Sequence, residues 1–515
     1  MVAIEARITG PALGAITGFL CCVLIIVGLL DFEVGLSVMA ATVVVTWIIL
    51  CIYRSLWAFS ILFLVFVLAY ARLGLPLISV EGPGNRGIVA LGDVLWLSLV
   101  LTWTAKGVFF AGPIRIRKAY PVTIWIMLPF VLLATILPVI GVLTGDWPYS
   151  YAIPGWRTLQ WSSFALFAYF LVRQYNTRRV IKHVVAVMVL AAILHMGYGL
   201  IQLGYYAGVL DQSWIFLDVI FAAMHVNAWF FYPRLTGLQV NPNSYGMYSA
   251  LVFLLALAMH LARADAGRRV LWSVAFAAAL FGLLFPASRS AYLGIMVAFF
   301  LWFLIGMGTR RLAARGLILS TKLIFVGTIG LGALWPVFPE VLRGRLMRFL
   351  DVFSGGAQMD VNAQERVEMW QSLWQLYVID YPFGTWVPTS YAMDSAVDSY
   401  YIVTSIQGTP IFTLSWLVFL GAVVNLGWSA WRRSASRQEA AIGLALAGFA
   451  GVMAGGGLTL SPMLQPQLVV PLWVLIGVSL AVVDGREKYC YKYFYYTTGP
   501  QGRVHHSLQT DEKTS

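Results

Sequence analysis

The amino-acid sequence predicts an all-α polytopic integral membrane protein with a large, partly helical external loop. Three observations carry that prediction. Of the 515 residues, 60% are hydrophobic and 11% charged, with a mean hydropathy of +0.80; soluble chains are about half apolar and roughly a quarter charged. Apolar runs near the ~20 residues that cross a bilayer recur from end to end, about fourteen in all. Short basic clusters fall between alternate runs, the bias of cytoplasmic loops.

In order, the runs are 11–30, 34–52, 56–75, 88–110, 122–143, 156–172, 184–206, 244–261, 270–286, 291–308, 317–335, 410–431, 441–458 and 468–483. The first follows MVAIEARITG, exceeds a signal-peptide core and shows no small-residue cleavage site, so it is expected to be a retained helix. Arg54 follows the second run, and Arg115, Arg117 and Lys118 the fourth. Arg173, Arg178, Arg179 and Lys182 follow the sixth, and Arg263, Arg268 and Arg269 the eighth. Arg310, Arg311 and Arg315 follow the tenth, Arg432, Arg433 and Arg437 the twelfth, and Arg486, Lys488 and Lys492 the last. Every even-numbered exit is basic, which predicts both termini in the cytoplasm. Residues 1–483 then form one transmembrane domain, with external loops at about 207–243 and 336–409, and 484–515 form a mobile cytoplasmic tail.

The net charge of +12 does not point to nucleic acid, because the basic residues are dispersed in these short clusters. Cys21, Cys22 and Cys51 sit in apolar runs and Cys490 in the tail, a pattern that supports neither disulfides nor a cysteine metal site.

Four stretches on the external side carry candidate chemistry. The first is RLTGLQVNPNSYG, from Arg234 to Gly246. Asn241-Pro242 favours a turn, and Asn243 or Ser244 is then suited to cap the next helix. Arg234 is either an anion ligand or a cation reaching to lipid headgroups. The second is LLFPASRSAYLG, from Leu283 to Gly294, where Pro286 ends one helix and Ser288 or Ser290 caps the next. Arg289 lies in that tight hairpin, against the positive-inside tendency, and suits either an ion pair or a phosphate ligand. The third is QERVEMWQSLWQLYVIDYPFG, in which Val367, Trp370, Leu373, Trp374 and Tyr377 follow helical spacing. This predicts an amphipathic helix resting on the membrane or on the bundle, with Arg366 either solvated or a ligand. The fourth is DSAVDSYYIVTSIQGTP, where Asp394 and Asp398 are each a candidate general base or a helix cap. Several cations with one carboxylate suit a reaction whose leaving group is a phosphate.

These elements, in this order, resemble the O-antigen ligase/polymerase superfamily of integral membrane proteins, which includes WaaL-type ligases and Wzy-type polymerases. The matching pieces are Arg234 with Thr236-Gly237 and Asn241-Pro242-Asn243, then Ser288-Arg289-Ser290, then Arg366, Trp370, Pro382 and Gly384, then Asp398, Tyr400 and Gly408. They cover the region from Arg234 to the twelfth run. The resemblance implies a GT-C-like fold in the bacterial inner membrane with a periplasmic site. It implies transfer of glycan from a polyprenyl-diphosphate-linked oligosaccharide to a sugar hydroxyl of a glycan acceptor, with no metal, nucleotide or other cofactor and no nucleic acid. It further implies that Arg234, Arg289 and, more loosely, Arg366 hold the diphosphate, that Asp398 takes the proton, and that Asn241, Pro242, Asn243, Ser288, Gly384, Tyr400 and Gly408 shape the site. A chain-length-regulating copolymerase is a candidate partner. Ligases of the family carry a histidine before the Tyr and Gly of the last motif, whereas this chain reads Val397-Asp398-Ser399. A polymerase therefore fits better than a ligase.

A flippase or other transporter is the rival from another class. Transporters show interrupted helices and polar residues at the midplane. The runs here read as mostly clean: Asp93 and Lys106 near the ends of the fourth run are expected to snorkel, and His195 near the middle of the seventh is either a structural histidine bonded to a neighbouring helix, the favoured reading, or a proton relay.

Overall fold

Apolar runs become helices because a bilayer leaves each backbone N–H and C=O no partner except its own chain. The computed structural model describes residues 47, 49–51, 54–68, 76–79, 87–110, 121–144, 152–206, 208–215, 235–239, 241–262, 269–286, 288–307, 368–379, 384–386 and 399–497. In chain order the long helices are α1 (Ser55–Leu68), α2 (Leu91–Phe110), α3 (Pro121–Thr144), α4 (Ile153–Gln174), α5 (Thr177–Tyr206), α6 (Pro242–Leu261), α7 (Arg269–Leu284), α8 (Arg289–Met307), α9 (Tyr400–Arg433), α10 (Arg437–Gly456) and α11 (Pro466–Thr497). Six of them, α3, α5, α6, α9, α10 and α11, contain segments long and apolar enough to cross a membrane. The chain is an all-α multi-pass membrane protein. The first and eleventh runs and most of the second lie outside the described residues.

The most enclosed helices define the centre. In α6, α10 and α11 the apolar stretch is 89%, 83% and 94% buried, against 33% for α3 at the periphery. Small residues let α10 approach its neighbours closely. A Cβ on Gly443 would lie 2.6 Å from the Gly427 carbonyl oxygen of α9, and one on Gly451 would lie 2.5 Å from Ala298 Cα of α8.

The two ends of the bundle differ in chemistry. At one end Arg173 of α4 pairs with Asp484 of α11 at 3.0 Å, and the Tyr169 hydroxyl donates to the same carboxylate at 2.7 Å. Lys182 of α5, Met259 of α6, Leu271 of α7 and Gln438 of α10 line one small cavity at this end. The starts of α5, α7 and α10 and the end of α6 therefore meet among the basic clusters. The opposite end gathers the starts of α6, α8 and α11 and the end of α10.

Several sequence-derived expectations change. The fourth run does not begin as helix: Gly87–Ala90 is a strand paired antiparallel with Pro76–Ser79, a small hairpin ahead of α2. α11 continues to Thr497, past the end of the last run. Asp93 does not snorkel. Its carboxylate accepts from the Arg157 guanidinium of α4 and from Gln160 Nε2 at 2.7 Å, with Asp93 6% and Arg157 9% exposed. Gln160 Oε1 accepts from Arg157 at 2.9 Å. Pairing across helices keeps both charges buried at lower cost than leaving either alone.

The twelfth run is more complex than one span. Residues Tyr400–Gln407 form a short helix ahead of it, and Gly408 (φ −140°, ψ 30°) and Thr409 (φ 65°, ψ 172°) break the chain. The two segments double back on each other. Thr413 Oγ1 lies 3.3 Å from the Tyr401 carbonyl oxygen, and the Tyr400 and Trp416 rings are 5.2 Å apart. Twelve residues of straight helix would separate such groups by ~18 Å.

The Asp93–Arg157 pair yields a prediction. Asp93→Leu removes the carboxylate from a buried guanidinium and costs about 3–5 kcal/mol, whereas Asp93→Leu with Arg157→Met costs far less. Thermal midpoints of purified protein in detergent micelles should fall steeply for the single variant and little for the double one.

Candidate functional site

The turn following Arg234 is fixed by side chains from α5. Gln202 Oε1 accepts from the Thr236 N–H at 3.1 Å and the Gly237 N–H at 3.0 Å, while its Nε2 donates to Thr236 Oγ1 at 2.8 Å. Seven residues earlier on α5, His195 Nδ1 accepts from the Leu238 N–H at 3.1 Å. His195 is fully buried and Gln202 2% exposed, and seven residues place them on one face of α5. Because Nδ1 accepts, the proton belongs on Nε2, 3.3 Å from the Gln239 side-chain amide; assigning that amide with its oxygen towards the ring completes a neutral imidazole. Gly237 sits at φ 57°, and a Cβ there would lie 3.1 Å from the His195 carbonyl oxygen. His195 is thus a structural histidine, but it holds a turn rather than a neighbouring helix.

Asn241 opens α6. Its side chain accepts from the Asn243 N–H at 2.8 Å from an extended backbone, and Pro242 takes the first helical position, where its missing N–H costs nothing. The cap is therefore Asn241, not Asn243 or Ser244. Those two residues reach sideways instead. The Asn243 carbonyl accepts from the Ser288 hydroxyl at 3.4 Å, and the Ser244 hydroxyl donates to Gln465 at 3.2 Å. Ser288 also accepts from the Ala291 N–H at 3.3 Å, which makes it the cap of α8. A Cβ on Gly246 would lie 2.5 Å from Ser288 Cβ. The NPNSYG and SRS stretches are in direct contact, and Arg289 stands exposed at the start of α8 beside them.

The connection from α10 to α11 ties the helix starts together. The Ser290 and Thr459 hydroxyls meet at 2.7 Å. The Gly457 carbonyl accepts from the Tyr400 N–H at 2.8 Å, and the Ala454 carbonyl from the Tyr401 hydroxyl at 2.9 Å. Tyr400 is 4% exposed, with its ring against Trp416. Sequence reasoning missed this connection, whose signal is the run GGGLTLSPMLQ, a glycine triplet with a Ser-Pro turn at the end of a span.

The break in α9 explains the last two motif glycines. Pro410 has no N–H for the Ile406 carbonyl, and Gly408–Thr409 turns the Gln407 carbonyl away from its helix. The Thr385 N–H donates to Ile406 O at 2.9 Å and the Trp386 N–H to Gln407 O at 2.8 Å, replacing both lost bonds. Gly384 approaches so closely that a Cβ would lie 2.6 Å from Gln407 O and 3.1 Å from Gly408 Cα, and its φ is 77°. The helix before this strap packs on α9: Leu373 is buried against Val403 and Ile406. Of its two resting places, the bundle is the observed one. Its predicted period ends early, because Trp374–Ile379 winds as a π-helix and leaves Trp374 40% exposed.

Arg234, Arg366, Pro382, Asp394 and Asp398 lie outside the described residues; Arg234 precedes Leu235 and Asp398 precedes Ser399 in the chain. Asn241, Pro242, Asn243 and Ser288 form one junction, and Gly384 and Gly408 another. Tyr400 is joined to the first through Gly457, Thr459 and Ser290. Among the described residues no three His, Cys, Asp or Glu side chains gather as a metal site. Two features overturn the reading of clean spans: the interrupted α9 and the buried Asp93–Arg157 pair. No model of a known protein family matches the chain, and no curated protein matches it.

Replacing the α6 cap is a direct check of this junction. Asn241→Ala should destabilise the protein by about 1 kcal/mol and Asn241→Asp by much less, because the aspartate oxygen still accepts the N–H. The thermal midpoint in micelles reads the difference.

Proposed function

We propose that the chain is a membrane glycosyltransferase of the O-antigen ligase/polymerase type, working at the end of the bundle where α6 and α8 begin. The donor is a polyprenyl-diphosphate-linked oligosaccharide held by Arg234 and Arg289, with Arg366 as a further cation. The acceptor sugar hydroxyl attacks the anomeric carbon, the bond to the diphosphate oxygen breaks, and the Asp398 carboxylate takes the hydroxyl proton. Charge growing on the departing diphosphate is met by the guanidinium groups. The acceptor is a second lipid-linked repeat unit, which makes the protein a Wzy-type polymerase of an O-antigen or exopolysaccharide. In this reading it spans the bacterial inner membrane through about fourteen GT-C-like helices, with both termini in the cytoplasm, the site in the periplasm, and a chain-length copolymerase as partner. A WaaL-type ligase differs only in using a lipid A core as acceptor.

The observation that carries this reading is the meeting of motif residues far apart in sequence. Gly246 abuts Ser288, Gly384 abuts Gly408, and Tyr400 joins Ser290 through the α10–α11 connection. Arg289 is exposed beside the first contact, at the end away from the basic clusters. A cation there, beside a capped helix start, is suited to an anionic headgroup.

One observation favours a second reading. The break at Gly408–Thr409 resembles the interrupted helices of transporters, so a flippase for the same lipid-linked glycan is the alternative.

Reconstitution separates them. Wild-type protein in liposomes with a polyprenyl-diphosphate repeat unit should give a ladder of products on a gel, and Arg289→Ala should lower the rate at least about a hundredfold while the protein stays inserted. A single-step shift seen only with added lipid A core identifies a ligase. Transbilayer movement with no change in glycan length identifies a flippase.

A further inference from the structure

We infer that the cleft among α5, α6, α7 and α10, at the basic end of the bundle, binds one anionic phospholipid of the surrounding bilayer, with its phosphate at Lys182 and an acyl chain lying along α5. The cleft is small and open on one side. Met259 of α6, Leu271 and Trp272 of α7 and Gln438 of α10 line it together with Lys182 and Ala186 of α5. Its lining is apolar apart from that one cation, the indole and the amide, and holds no acidic side chain. The ridge of α5 that starts in the cleft continues beyond it. Lys182, Ala186, Leu190 and Leu194 follow at four-residue spacing and all are exposed, the two leucines at 44% and 40%. Val270 and Val274 of α7 are exposed as well. Exposed aliphatic side chains on a membrane helix are suited to lipid chains. From Lys182 to Leu194 the helix rises ~18 Å, close to half of a ~30 Å hydrocarbon core. A lipid whose phosphate meets Lys182 therefore runs its chain along this ridge to about the bilayer centre. The surroundings select a negative headgroup. Arg178 and Arg179 are exposed one turn before Lys182, with Arg179 over the Tyr175 ring. The starts of α7 and α10 bring the positive ends of their dipoles to the same place. The Glu439 carboxylate at the start of α10 is engaged by the Ala435 and Ser436 N–H groups, at 2.7 and 3.3 Å. The Trp272 indole N–H is buried with no hydrogen-bond partner in the protein, and a lipid ester carbonyl is the acceptor that a bilayer offers near its surface.

This site lies at the end of the bundle opposite the starts of α6 and α8, and it does not depend on what is bound there. Native mass spectrometry of the full chain, released from neutral detergent micelles and titrated with dioleoyl phosphatidylglycerol or dioleoyl phosphatidylcholine, tests it. One phosphatidylglycerol should be retained, at least about fivefold more tightly than phosphatidylcholine. Lys182→Gln should weaken its binding about fivefold, the effect of one cation near an anionic headgroup. Ala186→Trp keeps every charge but fills the path of the chain, and should weaken binding at least as much. Arg432→Gln removes a cation of the same end that stacks on Trp428 and does not line the cleft. It should change the dissociation constant less than about twofold. Equal losses in Lys182→Gln and Arg432→Gln would mean a diffuse attraction of anions to the basic end, and that result overturns the inference. So does equal retention of the two lipids, or wild-type binding by Ala186→Trp. Should Ala186→Trp lower the thermal midpoint of the lipid-free protein, Leu190→Asn interrupts the same ridge at an exposed position. A similar loss is expected there, and wild-type binding by that variant counts against the inference.

Discussion

Every peptide group in an apolar bundle needs a hydrogen-bond partner, and the end of this bundle where α6 and α8 begin is arranged around the groups that helices leave over. Helix starts expose N–H groups, and a proline or a break exposes carbonyls. Here each kind is matched. Asn241 and Ser288 accept from the first turns of α6 and α8. Thr385 and Trp386 supply the donors that Pro410 and the Gly408 break withhold from Ile406 and Gln407. Gln202 and His195 receive the N–H groups of an irregular turn. Irregular backbone is tolerated because these partners exist, and irregular backbone is what lets uncharged polar side chains meet at this end of the bundle.

The same matching explains two backbone outliers. Thr409 and Trp386 both have positive φ, at 65° and 60°, unusual for side chains of their size. They face each other across the break in α9, where Trp386 donates to the carbonyl two residues before Thr409. Thr409 also accepts from the Ile411 N–H at 3.3 Å and so opens the second segment of the helix. Strain of this kind persists only where surrounding bonds hold it. The strap from Gly384 to Trp386 provides that hold, and Gly384 is the residue that lets it come close enough.

Six of the spans, those of α3, α5, α6, α9, α10 and α11, were legible in the sequence because length and hydropathy alone determine them. The run ending near Tyr206 begins at Thr177 rather than Val184, and the run at Pro410 starts where the chain actually breaks. Tertiary pairing was not legible. Asp93 reads as a residue near a helix end, and nothing local announces Arg157, 64 residues on. The fold-back of Tyr400–Gln407 is likewise a long-range event: Thr404, Ser405 and Thr413 satisfy one another's hydroxyls across the break, at 2.7 to 2.8 Å. Within the candidate site, the residue types at Asn241, Pro242, Ser288 and Gly384 were readable from turn and cap chemistry. Their meetings were not, since nothing local announces the contact of Asn243 and Gly246 with Ser288 or of Gly384 with Gln407 and Gly408, nor the α10–α11 connection that adds Gly457, Thr459 and Gln465. Gln202 was hidden for another reason. A single amide in an apolar run has no periodic signal, and only the turn it holds gives it a role.

The central claim is that one end of the bundle, built from these matched backbone groups, receives a lipid-linked diphosphate. Photo-cross-linking tests it most directly, using a polyprenyl diphosphate with a diazirine on its first isoprene unit and peptide mapping of the labelled protein. The account predicts labelled peptides from 235–246, 288–292 and 457–465, with labelling suppressed by unmodified polyprenyl diphosphate. Labelling confined to the basic end, around Arg173 and Asp484, would contradict it.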